Sequence, residues 1–355
     1  MRPFTALACS LIAITAHAGD GPYLQKWRFQ VHEMGAPEDI ASVARAISTP
    51  GKYIAGRAWH DATQNYQAAL FQTGLRRTFI LPGGTGEASG VNSGGEVVGT
   101  FWDEAEGPWL TSRRAFHWRS GVLTTLPQFG SGSTVANAVN ERGVIAGWFH
   151  ATTGEQHGFT YRNGVFRDLG TWGGAAAEIT SINYYGDVAG MRYRGTPLTQ
   201  EAVRVVGGRV NPLGNLLPQG LGSLARSIND RGDVAGVAFN GAVEGEGSVA
   251  WPFAVFGSKL VWLVPQMAGW GGGALGINNQ RQVVGGYSRP PEGGGAFLWE
   301  DGKLTDLSNL PEVKAAGWVQ LHTAIAINDD GVIVGAGITT GSRMRGFMLV
   351  PIRGR

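Results

Sequence analysis

Short apolar runs, each bounded by Gly or polar turn residues, recur along the whole chain. Between Ala138 and Gly170 four follow one another: the run ending at Asn140, then residues 144–149, 158–162 and 165–169. Runs of this length between turn signals predict a four-stranded antiparallel sheet. The pattern then repeats. A turn Asn-x-x-Gly begins at Asn92, Asn140, Asn183, Asn229 and Asn328, with imperfect copies at Asn278-x-x-Arg281 and Ser48-x-x-Gly51, so the chain holds seven units. Asn at the first place of a type I turn caps the chain locally, and Gly at the fourth accepts a left-handed conformation.

The strand before each turn has its own register. Immediately before the turn stand Ile47, Val91, Val139, Ile182, Ile228, Ile277 and Ile327, and one place earlier stand Ala46, Gly90, Ala138, Ser181, Ser227, Gly276 and Ala326. Alternate residues of a strand face opposite sides. Each sheet is therefore expected to have a bulky and a small face, with bulky faces packing on small ones and this strand innermost around a common axis. Third strands are read at residues 68–71, 115–118, 158–161, 202–205, 253–256, 296–299 and 346–349. The last unit has no fourth strand of its own. Val31-His32-Glu33-Met34-Gly35 matches Phe166-Arg167-Asp168-Leu169-Gly170, so residues 27–34 are expected to supply it. The expected fold is all-β: a seven-bladed β-propeller of four-stranded antiparallel blades, its ring closed by the N-terminal strand pairing with the C-terminal blade, which leaves no open edge.

The recurring N-x-x-G-x-V-x-G, the third-strand G/A-F-x-W and the Asp-Leu-Gly ending resemble the HAF-repeat family of probable extracellular bacterial proteins. The resemblance covers nearly the whole chain beyond its first residues. The His-Ala-Phe triplet itself is not intact in any unit; His157-Gly158-Phe159, Arg114-Ala115-Phe116 and Gly295-Ala296-Phe297 come nearest. What the resemblance implies is export and a repeat fold, with no established chemistry to carry over.

Composition agrees with a turn-rich β protein, since 57 residues are Gly and only 16% are charged. Residues 1–18 read as a signal peptide: Arg2, an apolar run, and the small-x-small end Ala16-His17-Ala18, with cleavage expected before Gly19. Residues 19–355 then form a single domain, secreted or periplasmic. The one cysteine, Cys9, falls inside the leader, so the exported chain would have no thiol and no disulfide. No other stretch approaches the roughly 18 apolar residues of a membrane helix. Loss of Arg2 takes the 29 basic residues to 28 against 27 acidic ones, a balance that favours neither nucleic acid nor an anionic membrane. The expected partner is a carbohydrate or peptide ligand of a monomer.

No nucleophile elbow, HExxH, P-loop or paired Cys/His pattern occurs, so no catalytic residue, metal or other cofactor is assigned. Arg231-Gly232-Asp233 spells an integrin-ligand triplet but occupies the repeated turn. Acidic neighbours such as Asp103 and Glu104, or Asp329 and Asp330, read as solvated turn carboxylates. Connections after the second and fourth strands are longer and more variable than the others, and they emerge on one face. That face collects aromatic residues, of which Trp109, Trp172, Trp270, Tyr287 and Trp318 are the candidate ligand-binding set. The leading expectation is a non-catalytic binding propeller. The alternatives are an extracellular hydrolase or lyase using His60, Asp61, Asp103, Glu104, His150, Arg192, Arg194 or Arg289 at the axis mouth, and a structural envelope or matrix component. Two carboxylates converging on the axis would favour the enzyme, and aromatics spread over the face would favour binding.

Overall fold

The structure, a computed structural model, describes residues 27–35, 41–60, 63–75, 77–102, 113–195, 199–214, 216–217, 220–240, 250–264, 271–289 and 293–352. The leader at residues 1–18 lies outside them. The third unit shows the repeat plainly: Thr134–Val139, Ile145–His150, Gln156–Arg162 and Val165–Gly170 are hydrogen-bonded in that order, every pair antiparallel. In the first unit Ser42–Ile47, Tyr53–His60 and Asn65–Gln72 are followed by the start of a long strand, Arg77–Val91. The far half of that strand crosses over and pairs with Val97–Phe101 as the inner strand of the second unit. The N-terminal strand Phe29–Met34 joins the last sheet antiparallel to Met344–Pro351, with Phe29 opposite Pro351 and Met34 opposite Gly346. A short helix, Pro311–Ala315, clasps it: the backbone N–H of Phe29 donates to Glu312 Oε1 at 2.8 Å.

One glycine per unit explains the second-strand signature. A Cβ on Gly56, Gly99, Gly147, Gly190, Gly236, Gly285 or Gly335 would stand only 1.9–2.1 Å from a carbonyl oxygen of the inner strand. The inner strand bulges beside these glycines, for instance at Asn137, opposite Ala146 and Gly147, and so pushes that carbonyl toward the second strand. The space left by the missing side chain is not empty. In five units a third-strand phenylalanine lies directly opposite the glycine (Phe116, Phe159, Phe253, Phe297, Phe347), and each is fully buried. The first and fourth units use Ala69 and Val203 instead.

The turn asparagines do more than close hairpins. Asn140 Oδ1 accepts from the N–H groups of Arg142 and Val144, which shapes its own turn, while Nδ2 donates to the carbonyl of Asn183 in the next unit at 2.9 Å. The same link runs from Asn92 to Asn140, Asn183 to Asn229, Asn229 to Asn278, Asn278 to Asn328, and from Asn328 to Ser48 at 2.9–3.1 Å. All six asparagines are buried, so each link satisfies groups that water cannot reach. Gly at the fourth place has the expected positive φ, 72° at Gly143 and 78° at Gly331; Arg281 takes the same conformation at 64°. Its guanidinium compensates by pairing with the buried Asp233, Nε to Oδ2 at 2.9 Å.

The facing of the inner strand differs from the expectation that bulky faces pack on small ones. The β-branched residues before the turns point inward and together line one cavity of about 340 Å³, an aliphatic collar around a common axis. The small residues face the neighbouring strands. A Cβ at Gly90 would meet Ala138 Cα at 3.0 Å, and one at Gly276 would meet Ala326 Cα at 3.1 Å. Inner strands approach backbone to backbone there, and only small residues permit it.

Candidate functional site

Two places further back, the same side of the inner strands again faces the axis. Arg45, Ser89, Asn137, Thr180, Arg226, Leu275 and Ile325 come from the seven units in turn, and with Glu87 and Glu178 they line a second axial cavity of about 400 Å³. The strand alternation delivers them: their neighbours Ala44, Ala88, Ala136 and Ala225 are wholly buried between sheets.

This layer is charged. Glu87 sits between two guanidinium groups, with Arg45 Nε at 2.8 Å and Arg57 Nε at 3.4 Å from its carboxylate oxygens. Among the described residues Glu178 accepts one long hydrogen bond, 3.5 Å from Asn137 Nδ2. Burial pushes its pKa up, against the opposing charges of Arg226 and Arg113 and the Asn137 contact. Burial likewise lowers the pKa of Arg226; Glu178 opposes that shift and the like charge of Arg45 adds to it. Arg226 nevertheless keeps solvent-accessible surface, because it faces an open cavity rather than packed side chains. Four arginines (Arg45, Arg57, Arg113, Arg226) thus act on two glutamates. The cavity wall itself holds two of these arginines and both glutamates, and Arg57 and Arg113 add the surplus of positive charge, suited to a carboxylate or another oxyanion.

The aromatic set expected from the sequence is not gathered by the structure. Trp109 and Trp270 lie outside the described residues, as do Asp61, Asp103 and Glu104. Trp172 and Trp318, 7% and 3% exposed, are packed in two different hydrophobic clusters. Tyr287 is half-buried against a third cluster, and its hydroxyl donates to Asp306 Oδ2 at 2.9 Å, with burial and that carboxylate pushing its pKa up to about 12. Their repeat positions put these rings at sheet ends, where they seal the core. Trp172→Ala should therefore cost about 3 kcal/mol of stability, as deletion of a buried aromatic does; a chemical denaturation midpoint unchanged by the substitution would contradict that placement. Exposed aromatic rings do occur at the opposite end of the axis, where Tyr184 and Tyr185 pack edge to face, 5.5 Å apart, beside the aliphatic collar.

Three ionisable residues of the enzyme alternative are tied up locally. Arg192 is buried, bonded to Glu201 at 2.7 Å and to the carbonyl of Trp172, and Arg194 reaches the same Glu201 at 3.6 Å. His60 contacts Thr63 in its own hairpin. Asp233 of the Arg-Gly-Asp triplet is 1% exposed and hence no adhesion ligand, and Asp329 accepts from the N–H of Asn279. Among the described residues no cluster of three or more His, Cys, Asp or Glu could hold a metal ion, and no helix is long and apolar enough to cross a membrane.

His157 and the Asp-Leu-Gly ending belong together. Asp168 Oδ1 accepts from the N–H of Gly170, closing the turn after the fourth strand, and its Oδ2 lies 2.9 Å from His157 Nδ1. Partial burial opposes the imidazolium, but the hydrogen bonds and charges of Asp168 and Glu155 outweigh it, and the pKa of His157 is raised. A raised folded-state value means stabilisation that is complete below the ordinary pKa near 6.5 and is lost as pH climbs through the raised one. His157→Gln should then lower the melting temperature more at pH 5 than at pH 8; an equal effect at both would remove the ion pair from the account.

No protein-family model matches the chain, and no curated protein matches it. Among solved structures it is similar to the β-propeller domain of the trilobed protease from Pyrococcus furiosus, described as having an open velcro topology. The TM-score is 0.56 at 8% identity, over 88% of this chain and 98% of that one. Acylaminoacyl peptidase from Pyrococcus horikoshii follows with TM-score 0.48 at 11% identity, over 83% of this chain and 49% of that one, so the chain spans about half of that peptidase. An ulvan lyase bound to a glucuronate–rhamnose sulfate glycan gives 0.44 at 9% identity, over 89% and 95%. Likeness at such identities is one of fold. The chain is a β-propeller, an all-β arrangement of antiparallel sheets.

Proposed function

We propose that the protein is an exported, seven-bladed propeller that binds an acidic ligand, a carbohydrate or a peptide, without covalent chemistry, in the charged cavity on its axis. Ring closure is part of this reading. It is supported by the pairing of Phe29–Met34 with Met344–Pro351 and by the side-chain links that run from Asn92 round to Asn328 and on to Ser48. Export rests on the leader-like residues 1–18, and membership of the HAF-repeat family on the repeated motifs. The observation that carries the binding assignment is the cluster of guanidinium groups at an axial cavity of about 400 Å³, Arg45 and Arg226 in its wall with Arg57 and Arg113 acting on its two glutamates, in a volume within the range of ligand pockets.

A glycan and peptide array probed with the chain from Gly19 onward tests it. Retained ligands should carry carboxylates, and Arg226→Ala should weaken them about tenfold or more, the loss of roughly 1.4 kcal/mol expected for a desolvated charge-assisted bond. Retention of neutral ligands only, or binding indifferent to Arg226→Ala, would move the site elsewhere.

A second reading, an extracellular hydrolase or lyase, draws on one observation. Two carboxylates do face the axis, Glu87 beside two arginines and Glu178 in a desolvated place that raises its pKa, the kind of asymmetry that separates base from acid. Mass spectrometry of array ligands after incubation decides between the two: shortened or unsaturated products that vanish with Glu178→Gln would favour the enzyme.

A further inference from the structure

A cleft of about 730 Å³ opens between the second and third units, on the side of the short turns and away from the axial cavity. The two cavities share no lining residue. Its wall is mostly polar, and both of its carboxylates are already engaged. Glu96 pairs with Arg119 Nε at 3.1 Å and accepts from Asn92 Nδ2 at 2.9 Å, and Glu141 accepts from the N–H of Ser93 at 2.9 Å. Arg142, beside Glu141 in the same turn, and Arg162 also line the cleft, exposed. Neither guanidinium makes a hydrogen bond or ion pair among the described residues. Deeper in, the Nε2 atom of His117 is buried without a hydrogen-bond partner. Burial lowers the pKa of this imidazole, with Glu96 opposing the shift and Arg119 adding to it, so the ring is neutral at pH 7 and can donate to or accept from a hydroxyl. Tyr161 is half-buried and shares the apolar part of the wall with Leu126, Pro127 and Ile145.

These features call for different parts of one ligand. Two uncommitted guanidiniums suit an anion. An orphaned buried nitrogen costs free energy until a hydroxyl or amide reaches it. A phenol ring beside polar groups suits the alternation of flat apolar face and hydroxyl edge in a pyranose. Inorganic phosphate or sulfate would use only the arginines, and a peptide would find no deep apolar pocket for an anchoring side chain. We infer that this cleft binds a uronic-acid oligosaccharide, its carboxylate held by Arg142 and Arg162, one sugar face laid on Tyr161, and a hydroxyl bonded by His117 once a turn of its ring brings the buried Nε2 into the cleft.

Isothermal titration of the chain from Gly19 onward with trigalacturonate, and with its methyl ester, tests the inference. The acid should bind and the ester at least tenfold more weakly. The double variant Arg142→Ala/Arg162→Ala should weaken the acid tenfold or more, with a melting temperature unchanged because both side chains are exposed. His117→Gln should weaken it less, and Arg209→Ala, on the exposed edge of the fourth unit, should leave it alone. The inference is overturned by no binding at millimolar acid, by equal binding of the ester, by an indifferent double variant, or by equimolar sulfate displacing the sugar. Loss in Arg226→Ala with the double variant unaffected would also overturn it, and would instead favour the axial cavity as the site of this ligand.

Discussion

Gly147→Ala should destabilise the protein by about 3 kcal/mol or more, the upper range for forced overpacking, and should reduce the yield of folded chain. The added methyl would lie 1.9 Å from the carbonyl oxygen of Val135 and 2.9 Å from its carbonyl carbon. No neighbouring side chain can swing away to relieve this, because the obstacle is the backbone of the inner strand at its bulge. Opening that strand would in turn disturb Ala136, wholly buried against the second unit. Gly164→Ala in the same sheet provides the contrast. Its φ is 82° and nothing lies within 4 Å of the added atom, so its cost is confined to the left-handed backbone, about 1–2 kcal/mol. Urea denaturation of both variants checks the difference. Equal midpoints would mean that the second-strand glycines recur for their backbone freedom and not for the close approach of the inner strand.

Removal of residues 19–36 should lower the melting temperature by about 10 °C or drive the chain to aggregate. Six residues of the ladder with Met344–Pro351 would go, leaving that strand as an open edge. Phe29 and Met34, 2% and 7% exposed, would go with them, each worth roughly 1.5–3 kcal/mol of burial. Arg345 would lose Glu33, 2.9 Å from its Nε, while remaining buried itself. A loss near 5 kcal/mol corresponds to about 10 °C at roughly 2 °C per kcal/mol for a domain of this size. Calorimetry on the truncated chain decides it, and an unchanged transition would sink the idea that the N-terminal strand completes the last sheet.

The repeat, the turn positions and the N-terminal match were legible along the chain because each depends on local chemistry. Asn and Gly fix a turn within four residues, and strand alternation fixes which residues share a face. Two features were misjudged for a common reason. Trp172 and Trp318 stand in loops next to Gly, a context that reads as exposed, yet neighbouring sheets close over them. The β-branched residues before the turns read as interlocking with the next sheet, yet they point to the axis. A signal for the axial layer was present in Arg45, Asn137 and Arg226, polar residues two places before the β-branched position in strands whose other positions are small or apolar.

The sequence by itself determined that this protein is built of short antiparallel strands in repeated units, where the turns fall, and that its termini meet in one sheet. Hydrogen-bonding geometry and period-two alternation act over a few residues, so they can be read from a few residues. Only the tertiary structure decided what faces the axis, which glycines touch a neighbouring carbonyl, and that Asn140 bonds to Asn183 while Arg45 bonds to Glu87. Those contacts join residues from different strands and units, and their distances depend on how far the sheets rotate and approach when the whole core packs.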